Sequence, residues 1–159
     1  MTLFEETIQL LKEAKVWYEL LEHEPVYTSE QAAAVRPDIT LHQGAKAMVL
    51  KIKGLGPEFM MVVLPGDMKM DYHKVTKFLG VRDVTLASPK EVEQIIGVKV
   101  GAVSPFGNLS DLKVLVDASL LENQKIAFNA GDHGKTVVMG SADYLTLSKA
   151  QPGDFTKSS

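Results

Sequence analysis

The sequence predicts a mixed α/β domain, a largely antiparallel sheet or barrel flanked by helices, and three observations carry this. Two β-rich runs, AMVLKIKG at 47–54 and FMMVVLPG at 59–66, flank the short turn GLGPE and so read as a hairpin. Elsewhere capped amphipathic helices alternate with short strands, so hairpin connections occur beside helical ones, which argues against a doubly wound parallel sheet. Finally, 159 residues at 45% hydrophobic content, with no repeat, low-complexity tract or Pro/Ser-rich linker, make one domain over 1–159. A chain of this size buries about two-thirds of its unfolded surface in a single core.

Each element has its own local reason. LFEETIQLLKEA places Leu3, Phe4, Ile8, Leu11 and Ala14 near helical spacing. VWYELLEH follows as a strand. After Pro25, Thr28 or Ser29 caps a short helix through EQAAAVR, which Pro37 stops. Beyond the hairpin, MDYHKVTKFLG is a helix ending at Gly80, and DVTLAS is a strand. SPKEVEQIIG carries Ser88 at the N-cap, Pro89 at N1 and Glu91 at N3, a capping box, and closes on Gly97. VGAVSPFG reads as a strand running into a loop. KVLVDASL, KIAFNAG and KTVVMGS supply further strands, and SADYLTLS a last helix capped by Ser141.

Composition removes whole classes of chemistry. Without cysteine there is no disulfide scaffold, thiolate zinc site or cysteine nucleophile. The N-terminal MTLFEETIQLLKEAK lacks a basic n-region, and no window approaches a bilayer span, so the reading is a soluble cytoplasmic protein with no membrane partner. Phosphate-loop, dinucleotide, HExxH and GxSxG patterns are missing. His23, His42, His73 and His133 have no close metal-ligand spacing, which favours local hydrogen bonding over a metal site. No Ser or Thr stands in a nucleophile frame, so an enzyme built from this chain works by positioning and electrostatics. Net charge is −3, yet residues 42–82 carry 7 basic and 3 acidic groups. Lys46, Lys51, Lys53, Lys69, Lys74, Lys77 and Arg82 either form a face for a few phosphates or are simply a solvated lysine surface.

Three loops stand out. In QGAKAM, Lys46 opens a strand among small neighbours that cannot shield its ammonium; it is a point cation beside a ligand, a desolvated base of lowered pKa, or a snorkelling surface lysine. In GAVSPFG, Gly101 and Gly107 bracket Ser104 and Pro105, giving close backbone approach and free amide donors, or a plain strand-exit turn. In FNAGDHG, a strand ends in Asn129 and two glycines, which read alone is a hairpin loop.

In this order and spacing, QGAKAMVLKIKG, LASPKEVEQIIGVKVGAVSPFG and IAFNAGDHGKTVVMGSADYL resemble the YbaK/prolyl-tRNA synthetase-associated editing domain family, and the likeness covers nearly the whole chain, from the helix before HEPVYTSEQAA to SADYL. The resemblance implies that family's mixed α/β fold and hydrolysis of wrongly charged aminoacyl-tRNA without metal or organic cofactor. It implies the mischarged acceptor end of tRNA as partner, admits a synthetase as a second partner, and leaves the oligomeric state open. Lys46 matches the family's functional lysine, and Gly101 to Pro105 match its GxxxP loop. The implied catalytic pair is Lys46 and Gly101. The implied substrate pocket draws on Thr28, Ala102, Ser104, Pro105, Phe106, Asn129, Gly131 and His133, with Lys51, Lys53, Lys74 and Lys77 toward tRNA. Members directed at alanine often carry His-Pro where this chain has Asn129-Ala130, so the order of substrates is serine or threonine, then alanine, then cysteine. Asn129 and Ser104 either bond the substrate hydroxyl or shape their loops. A non-catalytic binder of aminoacyl-tRNA and an amino-acid-sensing regulatory domain are the alternatives.

Overall fold

The computed structural model describes all residues except Pro37, Leu55 and Ser159. The expected helix stop at Pro37 and the centre of the GLG turn therefore lie outside the described residues. Helix α1 (Leu3–Ala14) opens on a capping box between Thr2 and Glu5. It leads to β1 (Tyr18–Glu22) and to α2 (Ser29–Val35), whose N-cap is Thr28. The hairpin β2 (Ala45–Lys53) and β3 (Phe59–Pro65) follows, then β4 (Met68–Met70), α3 (Tyr72–Leu79) and β5 (Asp83–Leu86). Helix α4 (Pro89–Ile96) carries the Ser88–Glu91 capping box read from sequence. The chain closes with β6 (Val114–Asp117), β7 (Lys125–Asn129), β8 (Lys135–Gly140), α5 (Ser141–Ser148), β9 (Gln151–Gly153) and β10 (Thr156–Ser158).

Three sheets result. The central one has the order β5-β2-β3-β6-β9, antiparallel on the β5, β2 and β3 side and parallel from β3 to β9. The second is antiparallel, β1-β8-β7, and the third pairs β10 with β4. A bridge between Gly44 and Ala127 joins the first two, where the Ala127 amide donates to Gln43 O at 3.0 Å.

The run FMMVVL is apolar throughout because its strand is covered on both faces. Met61 and Val63 point into a core shared with Leu11 of α1, Val92 and Ile96 of α4, Phe128 of β7 and Tyr144 of α5. Met60, Val62 and Leu64 point the other way, against Val75 of α3, Met70 of β4 and Phe155. Alternation at period two thus divides one hydrophobic strand between two cores.

Two sequence expectations are corrected. Residues 100–106 form no strand: Gly101 has φ +94°, and the Ala102 amide turns back to Lys99 O at 3.1 Å, which breaks the extended path. The N-cap of α5 is Gly140 rather than Ser141; the Ser141 hydroxyl instead donates to Asn123 O at 2.5 Å, tying the helix start to the turn before β7. The short strands β4, β9 and β10 have no counterpart in the sequence reading. With three ladder pairs each they have too few residues to show alternation, and tertiary pairing alone defines them.

Candidate active site

A cavity of about 400 Å³ opens between α2, the start of β2, the end of β5 and the loop 100–103. Small residues make the room. Ala32 and Ala33 of α2 and Gly44, Ala45 and Ala47 at the entry to β2 all line it, so the space arises where side chains are short. Lys46, Thr28, Gly101 and Asn129 line it as well, so four of the residues singled out from sequence meet at one place.

Lys46 is half-buried, and its ammonium donates to Met68 O at 3.0 Å. Burial lowers its pKa, opposed by the charges of Glu30 and Asp67 and assisted by Lys69. One N–H is engaged on Met68, leaving two of the three ammonium donors for a ligand.

Gly101 needs to be glycine on two counts. Its φ of +94° is a conformation L side chains rarely adopt, and a Cβ there would lie 3.0 Å from Tyr27 O and 3.3 Å from His133 Nε2. His133 therefore stands behind the loop, bonded through Nε2 to Val100 O at 3.1 Å with its ring centroid 4.5 Å from that of Tyr27. It does not line the cavity.

Beyond Gly101 and Val103, the loop packs inward. Ala102 and Phe106 are buried in the core, and Pro105 O accepts from the Tyr144 hydroxyl at 2.8 Å. Ser104 is 1% exposed; its Oγ lies 3.2 Å from Thr7 Oγ1 and accepts from the Phe106 amide at 3.4 Å, so the hydroxyl expected to meet substrate points into the packing against α1. Gly131, with φ +85°, lets the N-terminus of α1 approach: a Cβ there would sit 2.8 Å from the Phe4 amide nitrogen. Asn129 does reach the cavity, but both ends of its amide are used. Nδ2 donates to Gly101 O at 2.7 Å, and Oδ1 accepts from Arg36 Nη2 at 3.1 Å.

Arg36 is a residue that sequence reasoning missed. It caps the C-terminus of α2, is 7% exposed, lines the cavity and donates through Nε to Thr136 Oγ1 at 3.0 Å. Among the described residues no carboxylate pairs with it, and burial pulls its pKa down to about 10. Its only cue in the local sequence is that a charge follows the run Ala32-Ala33-Ala34-Val35.

The four lysines assigned to tRNA do not share one face. Lys51 pairs with Glu91 of α4 at 3.1 Å and lies over Phe59, whereas Lys74 of α3 binds Asp154 at 3.0 Å and Thr156 O at 2.8 Å, across the central sheet. Lys53 and Lys77 are exposed and carry no ion pair among the described residues. Nor, among the described residues, do three His, Asp or Glu side chains converge as a metal site, and no helix is long and apolar enough to cross a membrane.

Fold and site together define a small α/β domain with a cleft that presents a lysine, a buried arginine and a glycine loop. The chain belongs to the aminoacyl-tRNA editing domain family, whose model matches residues 23–147. It is 34% identical to the Escherichia coli K12 multifunctional Ser/Thr-tRNA deacylase ProXp-y, over 94% of this chain and 90% of that protein. It is 30% identical to the prolyl-tRNA editing protein ProX of Acetoanaerobium sticklandii, over 93% and 92%. A crystal structure described as a candidate trans-editing enzyme for prolyl-tRNA synthetase superposes with a TM-score of 0.83 at 20% identity, covering 99% of this chain and 98% of the other. At that identity the superposition establishes the fold alone.

Proposed function

We propose that this protein deacylates mischarged tRNA in trans, with seryl and threonyl esters preferred over alanyl and then cysteinyl ones. The observation that carries the reading is that Lys46 and Gly101, remote in sequence, line one cavity. Family membership and the names of the two relatives support the reaction class, and the name of the first relative supports placing serine and threonine first. Water adds to the ester carbonyl, the tetrahedral oxyanion collapses, the acyl–oxygen bond breaks, and the ribose oxygen leaves with a proton as a hydroxyl group. The chain contributes positioning and charge.

The oxyanion donors are narrowed by the loop's own bonds. Ala102 N–H is spent on Lys99 O, Phe106 N–H on Ser104 Oγ, and Pro105 has none. Of the remaining amides in Gly101 to Pro105, those of Gly101 and Val103 belong to residues lining the cavity and supply the backbone donors beside the other two ammonium protons of Lys46. The test is a panel of one tRNA charged in turn with serine, threonine, alanine and cysteine. Release of serine and threonine fastest is the expected result. Protection of every ester would identify a binder instead, and affinity for free amino acid without any effect of tRNA a sensor.

Binding of tRNA is assigned first to Lys53 and Lys77, since Lys51 and Lys74 are already paired. Reversing Lys53 and Lys77 to Glu is expected to raise the dissociation constant for charged tRNA and to lower the slope of log K against log salt by about two, one for each phosphate that is no longer neutralised. An unchanged slope places the tRNA elsewhere.

A further inference from the structure

A directed chain of hydrogen bonds runs behind the cavity. His23 Nδ1 lies 2.7 Å from Glu24 O, an acceptor only, so in the neutral ring Nδ1 carries the proton and Nε2 accepts. Nε2 is 2.7 Å from Thr136 Oγ1, so the hydroxyl proton points to the histidine and the oxygen's lone pairs are left for Arg36 Nε. Arg36 then donates through Nη2 to Asn129 Oδ1, and Asn129 Nδ2 donates to Gly101 O. Arginine has donors only, which settles the orientation of the Asn129 amide: its oxygen must face Arg36 and its nitrogen must face Gly101.

We infer that Arg36 is a positioning residue: it fixes the Asn129 amide, which grips the carbonyl of Gly101 and so sets the peptide planes of the loop 100–103 at the cavity wall. The inference rests on the deacylase reading for its kinetic consequence, but not for its structural one. A guanidinium buried without a carboxylate is costly to place, and neither Thr136 nor Asn129 needs a full charge to be satisfied. A planar donor fork that reaches both groups at fixed angles is what arginine supplies and lysine does not.

The experiment combines Arg36→Met, Arg36→Lys, Asn129→Ala and Asn129→Asp with single-turnover kinetics and amide NMR. Asn129→Asp still accepts from Arg36 but has no N–H for Gly101 O; a kcat fall of roughly 100-fold with little change in KM is expected. Arg36→Met is expected to lower kcat by roughly 10-fold or more, equally for seryl and alanyl esters, because the loop serves the ester carbonyl common to both. In the Asn129→Ala background the same Arg36 change is expected to add nothing, since the two residues act in series. Arg36→Lys recovers little, and methylguanidine added to an Arg36→Ala variant restores part of the rate. Independently of activity, the Ala102 amide nitrogen and Gly101 carbonyl carbon shifts move in both Arg36→Met and Asn129→Asp. Additive kinetic effects, or unmoved Gly101 and Ala102 resonances in folded variants, overturn the positioning role. A loss confined to hydroxyl-bearing substrates overturns it too, by making Arg36 a substrate contact. A wild-type protein that hydrolyses no ester, with the resonances shifting as described, defeats the deacylase reading and leaves the positioning role intact.

Discussion

Lys46→Ala is expected to fold normally and to lose most of its deacylation. One missing charge-assisted bond to the transition state at this half-buried position removes about 2 to 4 kcal/mol, roughly 30-fold to 1000-fold in rate. Stability should hold. Burial lowers the pKa of the ammonium in the fold, so the unfolded chain binds the proton more tightly, and below the folded pKa the charged lysine works against folding. Removing it sacrifices the bond to Met68 O but relieves that penalty, so the melting temperature changes little. The same direction gives a pH signature. If the cation does the work, the advantage of wild type over Lys46→Ala shrinks as pH rises through the lowered pKa; if the free amine acted as base, the advantage would grow. Single-turnover rates of both proteins across alkaline pH separate the two, and equal rates at neutral pH would remove Lys46 from the reaction.

Gly101→Ala is expected to be nearly inactive and measurably less stable. The backbone at φ +94° strains any residue with a Cβ, by about 1 to 3 kcal/mol. The added methyl meets Tyr27 O, a backbone atom, at 3.0 Å. Relief requires the loop to move outward, which takes Gly101 O off Asn129 Nδ2 and swings the neighbouring amides away from the cavity. A drop of at least roughly 100-fold in single-turnover rate is the expected outcome, accompanied by a lowered melting temperature. Full activity in a destabilised variant would mean that the loop supports the fold and not the chemistry.

How much of this is legible in the sequence depends on whether the information is local. The span of α1, the capping box at Ser88 and the hairpin of β2 and β3 are written in adjacent residues, because caps and turns are satisfied within a few positions. Lys46 is conspicuous for a similar reason: a charge among Gly44, Ala45 and Ala47 is odd on its own terms. Ser104 looks like a ligand-binding hydroxyl in a loop bracketed by glycines, and only the approach of Thr7 from α1 shows that its hydroxyl is absorbed by packing. The lysines of the basic middle third look like one face until the central sheet puts Lys51 and Lys74 on opposite sides of it.

By itself the sequence determined the mixed α/β class, most of the element boundaries and the two loops that meet at the cavity, since each of these follows from side-chain spacing and backbone preference along a few residues. The tertiary structure alone decided what those loops touch. Arg36, Asn129, Thr136 and Gly101 come from four separate parts of the chain, and no short-range pattern could announce that a guanidinium at the end of α2 would hold an asparagine at the end of β7. That arrangement exists because the C-terminal end of α2 places Arg36 out of water beside Thr136 of β8 and Asn129 of β7, where its remaining choices are the few polar groups within reach.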